Sequence, residues 1–383
     1  MEQQSSFISR VAGALVIIMI LGYILIIGKA ILIPLTFSIL FSFLLRPPTA
    51  FFERLIRNQV LAILLTFLLF SAVLAGMIAA FAYQLVDIVQ ALPSIGKKVT
   101  QGLDQIFLWL KENFAISPPS WSEWVQENAS TLIETPFSIV SQSLSSSTAV
   151  IAGLGLTLIF TFFFLLYRTS FKNFIIYQFN KSHQDQAKSV ILEIQDMLQS
   201  YLQGLGTVIL ILAVLNSTGL WLIGIAYPVF WGVLAAFLAV IPYIGTMLGG
   251  LFPFLYALAT ATSLWQPVAV IILYQAIQQI EGNFITPRIV GSSVQINPLV
   301  AMISLFVFGM IWGIAGIILS IPAMAVIKII FDEFDGLKPL GVLLGSKVHQ
   351  DEHVFADEFD EDRYRLINYF SDTQSRNQKP GPP

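Results

Sequence analysis

The chain has 383 residues, of which 56% are hydrophobic and only 11% are charged, and its formal net charge is −3. Soluble domains carry about 25% charged residues, so this composition indicates a protein that crosses a membrane several times. The absence of cysteine excludes disulfides, thiol catalysis and cysteine-ligated metals, and the small net charge without a basic cluster argues against nucleic acid as a partner.

The N-terminal half contains four apolar stretches suited to membrane helices, which need about 20 apolar residues. They are residues 11–28, 30–45, 60–82 and 149–167. The first leads into KAILIPL rather than into a small-residue cleavage site, so we expect it to be retained as a membrane helix. The second is short and contains Pro34, which predicts a tilted, kinked or partly re-entrant helix.

The C-terminal half begins with a fifth apolar stretch, residues 204–225. Residues 228–330 are then almost continuously apolar and have room for about three more spans, interrupted by prolines and glycines. We therefore predict an all-α, polytopic membrane protein with about eight transmembrane helices, some of them broken in the C-terminal half. The transmembrane domain is expected to cover residues 1–340.

The distribution of lysine and arginine predicts the orientation in the membrane. Both residues are enriched in the loops 46–59 and 168–202, which lie on one side under this span count and are therefore expected to be cytoplasmic. The region 83–148 carries more acidic than basic residues and is expected to be external. Both termini are then cytoplasmic.

Two segments outside the spans are amphipathic. The external region 83–148 repeats apolar residues at helical spacing and contains Trp109, Trp121 and Trp124, which suit a membrane interface. The cytoplasmic linker 168–203 has a similar stripe over residues 185–202 and predicts an in-plane helix that feeds the fifth span. For both we favour structural packing or lipid contact over a substrate gate.

The C-terminal segment 341–383 has a different composition. It is acidic around DEHVFADEFDED and ends in QKPGPP. Low hydrophobicity with proline and glycine predicts a disordered cytoplasmic tail, with one short helix near Tyr364–Phe370.

Glu281 and Arg288 are the only full charges between Asp196 and Lys328. On a helix that precedes them, Tyr274, Gln278 and Glu281 share one face. A polar face inside a membrane is expected to point into the helix bundle or into a wet cavity.

Thr286-Pro287 follows this face, and proline biases the preceding residue away from helix, which predicts a break in the chain. Many transporters build their binding sites at such breaks. Here we expect Arg288 to pair with Glu281 or to hold an anionic or hydroxyl-rich ligand. The alternative is a short interfacial loop in which the two charges cap helix ends and set the topology. On the first hypothesis the path also includes hydrogen-bonding side chains, namely Gln278, Gln279, Asn283, Thr286 and Tyr274.

Further breaks are expected at other prolines and glycines of the C-terminal half, namely Pro242, Gly245, Pro298 and Pro322. Gly245 with Gly249, and Gly309 with Gly313, have the four-residue spacing of closely packed membrane helices, which is compatible with a homo-oligomer.

No enzyme signature is present. The chain lacks a His-Glu-x-x-His motif, a Gly-x-Ser-x-Gly motif and a phosphate-binding loop. The histidines His183, His349 and His353 lie outside the apolar stretches and are expected to be solvated. We therefore predict no enzymatic activity, no cofactor and no metal site.

The segments LAVIPYIGTMLGGLFP, YQAIQQIEGNFITPRIVGSSVQINPLV and GIAGIILSIPAMAVIKII resemble the autoinducer-2 exporter family of bacterial membrane proteins. The resemblance implies an inner-membrane transporter of about eight spans. Some members export autoinducer-2, a small polyhydroxylated furanone derivative, and others are associated with sodium/proton exchange. Asn297 stands where the family often has histidine, which argues against a proton relay at this position.

Three hypotheses follow. The first is an exporter of a small polar molecule such as autoinducer-2, with Glu281 and Arg288 on its path. The second is a monovalent cation/proton antiporter in which Glu281, the only carboxylate of the C-terminal apolar half, carries the ion. The third is a membrane scaffold that works through its acidic tail. The expected partners are the lipid bilayer and a small-molecule or ion cargo.

Overall fold

The computed structural model describes residues 2–77, 147–241, 244–261, 263–291, 294–334 and 336–346, with single residues 79, 80, 84, 355, 359 and 364. Regular structure in these ranges is helical, apart from an isolated antiparallel bridge between Ile296 and Gly345. Residues 83–148, which we predicted to be external, therefore lie outside the described residues, except for residue 84 and the start of the helix that follows.

The helices are named in chain order. They are α1 Glu2–Ile27, α2 Lys29–Ile56, α3 Gln59–Met77, α4 Ser147–Leu166, α5 Arg168–Tyr177, α6 Gln184–Ile223, α7 Pro228–Leu238, α8 Ile244–Thr260, α9 Trp265–Ile280, α10 Thr286–Ile289, α11 Pro298–Trp312, α12 Ile314–Glu333 and α13 Lys338–Leu344. A 3-10 helix, Lys181–His183, precedes α6, and a π-helix, Glu281–Ile285, joins α9 to α10.

Five helices of the described residues are long and apolar enough to cross a membrane, or up to six if a bent pair counts as one span. That pair is α4 and α5, which meet at an angle of 68°. Four shorter apolar helices, among them α7 and α11, accompany the long ones. The predicted all-α, polytopic membrane fold is confirmed, whereas the count of eight spans stays a prediction.

Large apolar side chains cover much of the helix surface. Met19 is 73% exposed and Met310 is 88% exposed. In water this exposure would be costly, but lipid tails solvate such side chains, and a helix pairs most of its backbone groups internally. The surface therefore has the character of a lipid-facing one.

The second apolar stretch extends further than predicted. We expected a short span over 30–45, but α2 is a continuous helix of 28 residues that includes Pro34, Pro47 and Pro48. Each proline removes one backbone hydrogen bond, yet a bilayer offers no water to an opened helix, so the remaining bonds keep the segment helical.

The predicted break at Pro322 is also wrong. Pro322 is buried inside α12, a continuous helix of 20 residues. The helix buries Leu319 and Ala325 on either side of the proline, so packing offsets the single lost hydrogen bond.

The predicted in-plane helix over residues 185–202 is not a separate element. Residues 185–202 continue into the fifth span as α6, which has 40 residues. At 1.5 Å per residue this helix is about 60 Å long, roughly twice the thickness of a bilayer core. About half of α6 must therefore lie outside the hydrocarbon layer, although no break marks the boundary.

The folded part also extends past the predicted boundary at residue 341. Gly341 packs against Asp332, and Gly345 packs against the side chain of Lys328, which is ion-paired with Asp332. The backbone N–H of Asn297 donates to the carbonyl of Leu344 at 2.8 Å. The remaining tail residues lie outside the described ranges, apart from residues 355, 359 and 364.

The chain divides into two compact units. Unit one comprises Met1–Arg46, Gly155–Leu202 and Gly291–Pro383, and unit two comprises Pro47–Leu154 and Gln203–Val290. In unit two, α7, α8 and α9 pack around a core that includes Leu220, Trp231, Ala257 and Val270. The predicted polar face of α9 belongs to this unit.

Candidate functional site

A small cavity in unit two collects the polar face of α9. Its volume is about 20 Å³, which is room for one water molecule. Tyr274, Gln278 and Glu281 line it, as the helical spacing of these residues predicts. Asn216 of α6 and Thr246 of α8 complete the polar part of the wall, and apolar residues of α6 to α9 form the rest.

Small residues let the helices approach closely enough to form this cavity. A Cβ added to Gly249 would lie 3.0 Å from the Cβ of Ala235, and one added to Gly250 would lie 3.2 Å from the ring of Tyr274. Gly245 is the second residue of α8, and a Cβ there would overlap the carbonyl of Leu238. Close packing therefore accounts for Gly245, and the break that we predicted in this segment separates α7, which ends at Leu238, from α8, which begins at Ile244.

Two buried oxygen atoms in the cavity wall lack hydrogen-bond partners among the described residues. They are Asn216 Oδ1 and Tyr274 Oη, and the Asn216 side chain is only 4% exposed. A buried polar atom without a partner costs about 1–3 kcal/mol. Such atoms are rare in folded proteins, and a cavity that contains two of them is suited to a polar or charged ligand.

Glu281 is half-buried at the end of α9. The hydroxyl of Thr286 donates to its Oε1 at 3.4 Å. The predicted pair with Arg288 is not formed: within the described residues Glu281 has no salt bridge, and Arg288 is exposed. The π-helix between them takes more residues per turn than an α-helix, so residue 288 no longer lies below residue 281.

The chain does not break at Thr286-Pro287 either. Thr286 has α-helical dihedral angles, and its N–H donates to the carbonyl of Glu281, five residues earlier. Proline would collide with the carbonyl four residues before it in an α-helix, and the wider π-turn over residues 281–285 relieves that collision. Residues 265–289 consequently form one helical span of 25 residues. π-Turns inside α-helices are uncommon and occur often at functional sites.

The other predicted path residues lie away from the cavity. Asn283 donates through Nδ2 to the carbonyl and the side-chain oxygen of Gln279, at 2.9 and 3.0 Å. Both side chains are exposed and do not line the cavity. The structure thus brings Tyr274, Gln278 and Glu281 together, with Thr286 as a neighbour, and leaves Gln279, Asn283 and Arg288 on other faces.

The two remaining predicted breaks are at Pro242 and Pro298. Pro242 lies outside the described residues. Pro298 is the first residue of α11, and the Asn297 side chain accepts a hydrogen bond from the Leu299 N–H at 2.9 Å. The Asn-Pro pair is therefore a helix start with an N-cap.

Replacing Asn297 by alanine should lower the free energy of unfolding by about 1 kcal/mol, because the N-cap is lost. Asn297→Asp keeps an acceptor at this position and should retain most of the stability. Neither change should reduce transport, since Asn297 does not line the cavity. Thermal unfolding and flux of both variants check this expectation, and a flux defect in the aspartate variant would contradict it.

Sequence reasoning missed Asn216 and Thr246. Asn216 begins an Asn-Ser-Thr run in the middle of the fifth apolar stretch. A polar run within a membrane span is a signal of a functional site. Nothing local in the sequence indicates that Asn216 faces Tyr274, because that depends on how α6 packs against α9.

The fold and this site define a class: a polytopic helical membrane protein with a cavity between its helices that contains a carboxylate and polar atoms without partners among the described residues. The model of the AI-2E transporter family matches residues 14–336. The chain therefore belongs to the AI-2E transporter family.

Similar proteins come from several bacteria. The candidate transport protein YrrI of Bacillus subtilis (strain 168) is 26% identical over 318 residues, which cover 80% of this chain and 87% of YrrI. The AI-2 transport protein TqsA of Escherichia coli (strain K12) is 23% identical over 345 residues, which cover 87% of this chain and 96% of TqsA. A candidate transport protein of Borreliella burgdorferi is 32% identical over 134 residues, which cover 35% of this chain and 37% of that protein.

Proposed function

We propose that this transporter exports a small polar molecule of the autoinducer-2 type and that the Glu281 cavity lies on its path. The observation that carries the proposal is the shared cavity of the Glu281 side chain, Asn216 and Tyr274, in which two buried oxygens have no partner among the described residues. Hydroxyl groups of a polyhydroxylated cargo would supply those partners. The similarity to TqsA, named for AI-2 transport, supports the choice of cargo.

The size of the cavity has a consequence for this mechanism. Room for one water molecule does not admit a furanone derivative. The helices must therefore separate for the cargo to pass, as the two sides of a transporter do during alternating access. Gly282 in the π-helix is a suitable position for this movement, because it is exposed and nothing lies within 4 Å of where its Cβ would be.

Glu281→Gln should reduce the flux of labelled autoinducer-2 in proteoliposomes by tenfold or more, because the charge that orients the cargo is removed while the side-chain volume is kept. The matched control is Gln275→Ala, an exposed residue of α9 outside the cavity, which should transport like the wild type. Wild-type flux that equals the flux of empty liposomes would contradict autoinducer-2 as the cargo. Full flux in well-folded Glu281→Gln would contradict the assignment of the Glu281 cavity to the transport path.

A monovalent cation/proton antiporter is the second candidate, and the dimensions of the cavity favour it. A water-sized space with one carboxylate suits a proton or a small cation without its hydration shell. Sodium-driven proton movement in the same liposomes, lost in Glu281→Gln and without flux of autoinducer-2, would establish this function in place of the first.

We also propose that the protein lies in the bacterial inner membrane with both termini in the cytoplasm. The lysine- and arginine-rich segments 46–59 and 168–202 support this orientation. Fusions of a cytoplasm-active and a periplasm-active reporter to the C-terminus test this orientation. Activity of the periplasmic reporter would show that the C-terminus lies in the periplasm and would contradict the proposal.

A further inference from the structure

A large apolar groove lies in unit one, apart from the Glu281 cavity. Its volume is about 600 Å³. The end of α5, the first turns of α6 and the end of α12 form its walls, which include Ile175, Phe179, Val190, Ile191, Ile194 and Ile330. An apolar groove of this size is suited to several large side chains.

We expect the groove to open at the cytoplasmic boundary of the membrane. α5 follows the apolar helix α4 at an angle of 68°, as a helix does when it leaves a bilayer and turns along its surface. Lysine and arginine of this segment predict the cytoplasmic side. The C-terminal segment is predicted to lie on that side as well.

The C-terminal segment starts close to the groove. α13 packs along α12 so that Gly341 meets Asp332 and Gly345 meets Lys328, while Glu333 of the same helix lines the groove. Lys328 and Glu333 are about 8 Å apart along the helix axis. Residues 347–350 can span about 13 Å when extended, so the residues that follow them are within reach of the groove.

The sequence of this segment matches an apolar groove. Residues 351–362, DEHVFADEFDED, contain two phenylalanines four residues apart, a spacing that would place them on one face if the segment formed a helix. The rings of Phe355 and Phe359 are 6.2 Å apart, and those of Phe359 and Tyr364 are 5.0 Å apart. Phe355 is 37% exposed, and neither phenylalanine lines the groove in this structure. Docking there would therefore require the segment to move from its present position.

We propose that residues 351–362 dock with the Phe355–Phe359 face in this groove. Peptides bind in the same way when an amphipathic helix places its apolar face in an apolar groove. The carboxylates of the segment would lie towards Lys172, one turn before Ile175, and Lys181, near the groove residue His183. Glu333 makes the α12 wall negative, so the acidic residues are expected on the α5 side. The short connection raises the effective concentration to about the millimolar range.

Cross-linking between engineered cysteines tests this docking, because the chain contains no cysteine of its own. The full-length protein in vesicles of phosphatidylglycerol and phosphatidylethanolamine would carry Gln186→Cys, on the groove wall, with Glu358→Cys in the tail. The matched control places the first cysteine at Ser189, which is exposed on α6 outside the groove wall. We expect the Gln186 pair to cross-link at least tenfold faster than the Ser189 pair.

Two further variants separate docking from random encounters. Phe355→Asp with Phe359→Asp should reduce the rate of the Gln186 pair to that of the Ser189 pair. Lys172→Glu with Lys181→Glu should slow it several-fold. Equal rates for the two pairs, or no effect of the aspartate substitutions, would overturn the proposal. Fast cross-linking in detergent that disappears in the vesicles would also overturn it, because lipid would then be the occupant of the groove.

Discussion

Asn216→Leu is expected to make the protein more stable and less active at the same time. The buried Oδ1 of Asn216 has no hydrogen-bond partner among the described residues, so an apolar side chain of similar size removes a cost of about 1–3 kcal/mol. The same change removes a polar group from the wall of the Glu281 cavity. We expect a melting temperature several degrees above that of the wild type and a flux reduced tenfold or more.

Tyr274→Phe should also raise the melting temperature and reduce flux, because it deletes only Oη, which has no hydrogen-bond partner among the described residues. Ser304→Ala is the matched control. Ser304 is 1% exposed and donates to the carbonyl of Ala301 at 2.7 Å, so its removal should lower stability slightly and leave flux unchanged. Unchanged flux in Asn216→Leu and Tyr274→Phe would show that the cavity is not on the transport path.

Gly316→Ala should destabilise unit one more than an ordinary glycine substitution in a helix. A Cβ at Gly316 would overlap the carbonyl oxygen of Phe308 and lie 3.2 Å from the Cβ of Trp312. The hairpin of α11 and α12 would have to open, and overpacking of this kind costs about 1–3 kcal/mol or more. Thermal unfolding in detergent should show a melting temperature lowered by several degrees.

Gly153→Ala provides the comparison for Gly316→Ala. Gly153 lies inside α4, and nothing is within 4 Å of where its Cβ would be. This variant should be as stable as the wild type or slightly more stable, because alanine favours helix over glycine. Equal melting temperatures for the two variants would show that α11 and α12 tolerate a wider separation than their packing indicates.

The helical hairpin at Gly313 shows why such positions depend on glycine. Gly313 has φ 60° and ψ −138° between α11 and α12, a conformation that side chains with a Cβ rarely adopt. The sequence shows Gly313 and Gly316 three residues apart, but the close approach of Phe308 to Gly316 is a property of the packed hairpin.

The predictable part of the site followed from local rules. Tyr274, Gln278 and Glu281 line one cavity because their spacing matches the period of an α-helix, and this period can be read without a structure. Arg288 departs from this pattern because Pro287 is accommodated by a π-turn. Both a break and a π-turn relieve the strain of a proline, and the choice between them depends on the surroundings of the helix.

The sequence by itself determined the membrane class, the helical fold and the family motifs, because hydropathy and periodicity are properties of neighbouring residues along the chain. Only the tertiary structure decided that Asn216 shares a cavity with Glu281, that Pro322 lies in an unbroken helix and that Gly345 packs against Lys328. Each of these contacts joins helices that are distant in sequence or depends on packing that offsets a lost hydrogen bond. Such contacts have no local signature, because their free energy comes from the fit between surfaces rather than from the order of residues in one segment.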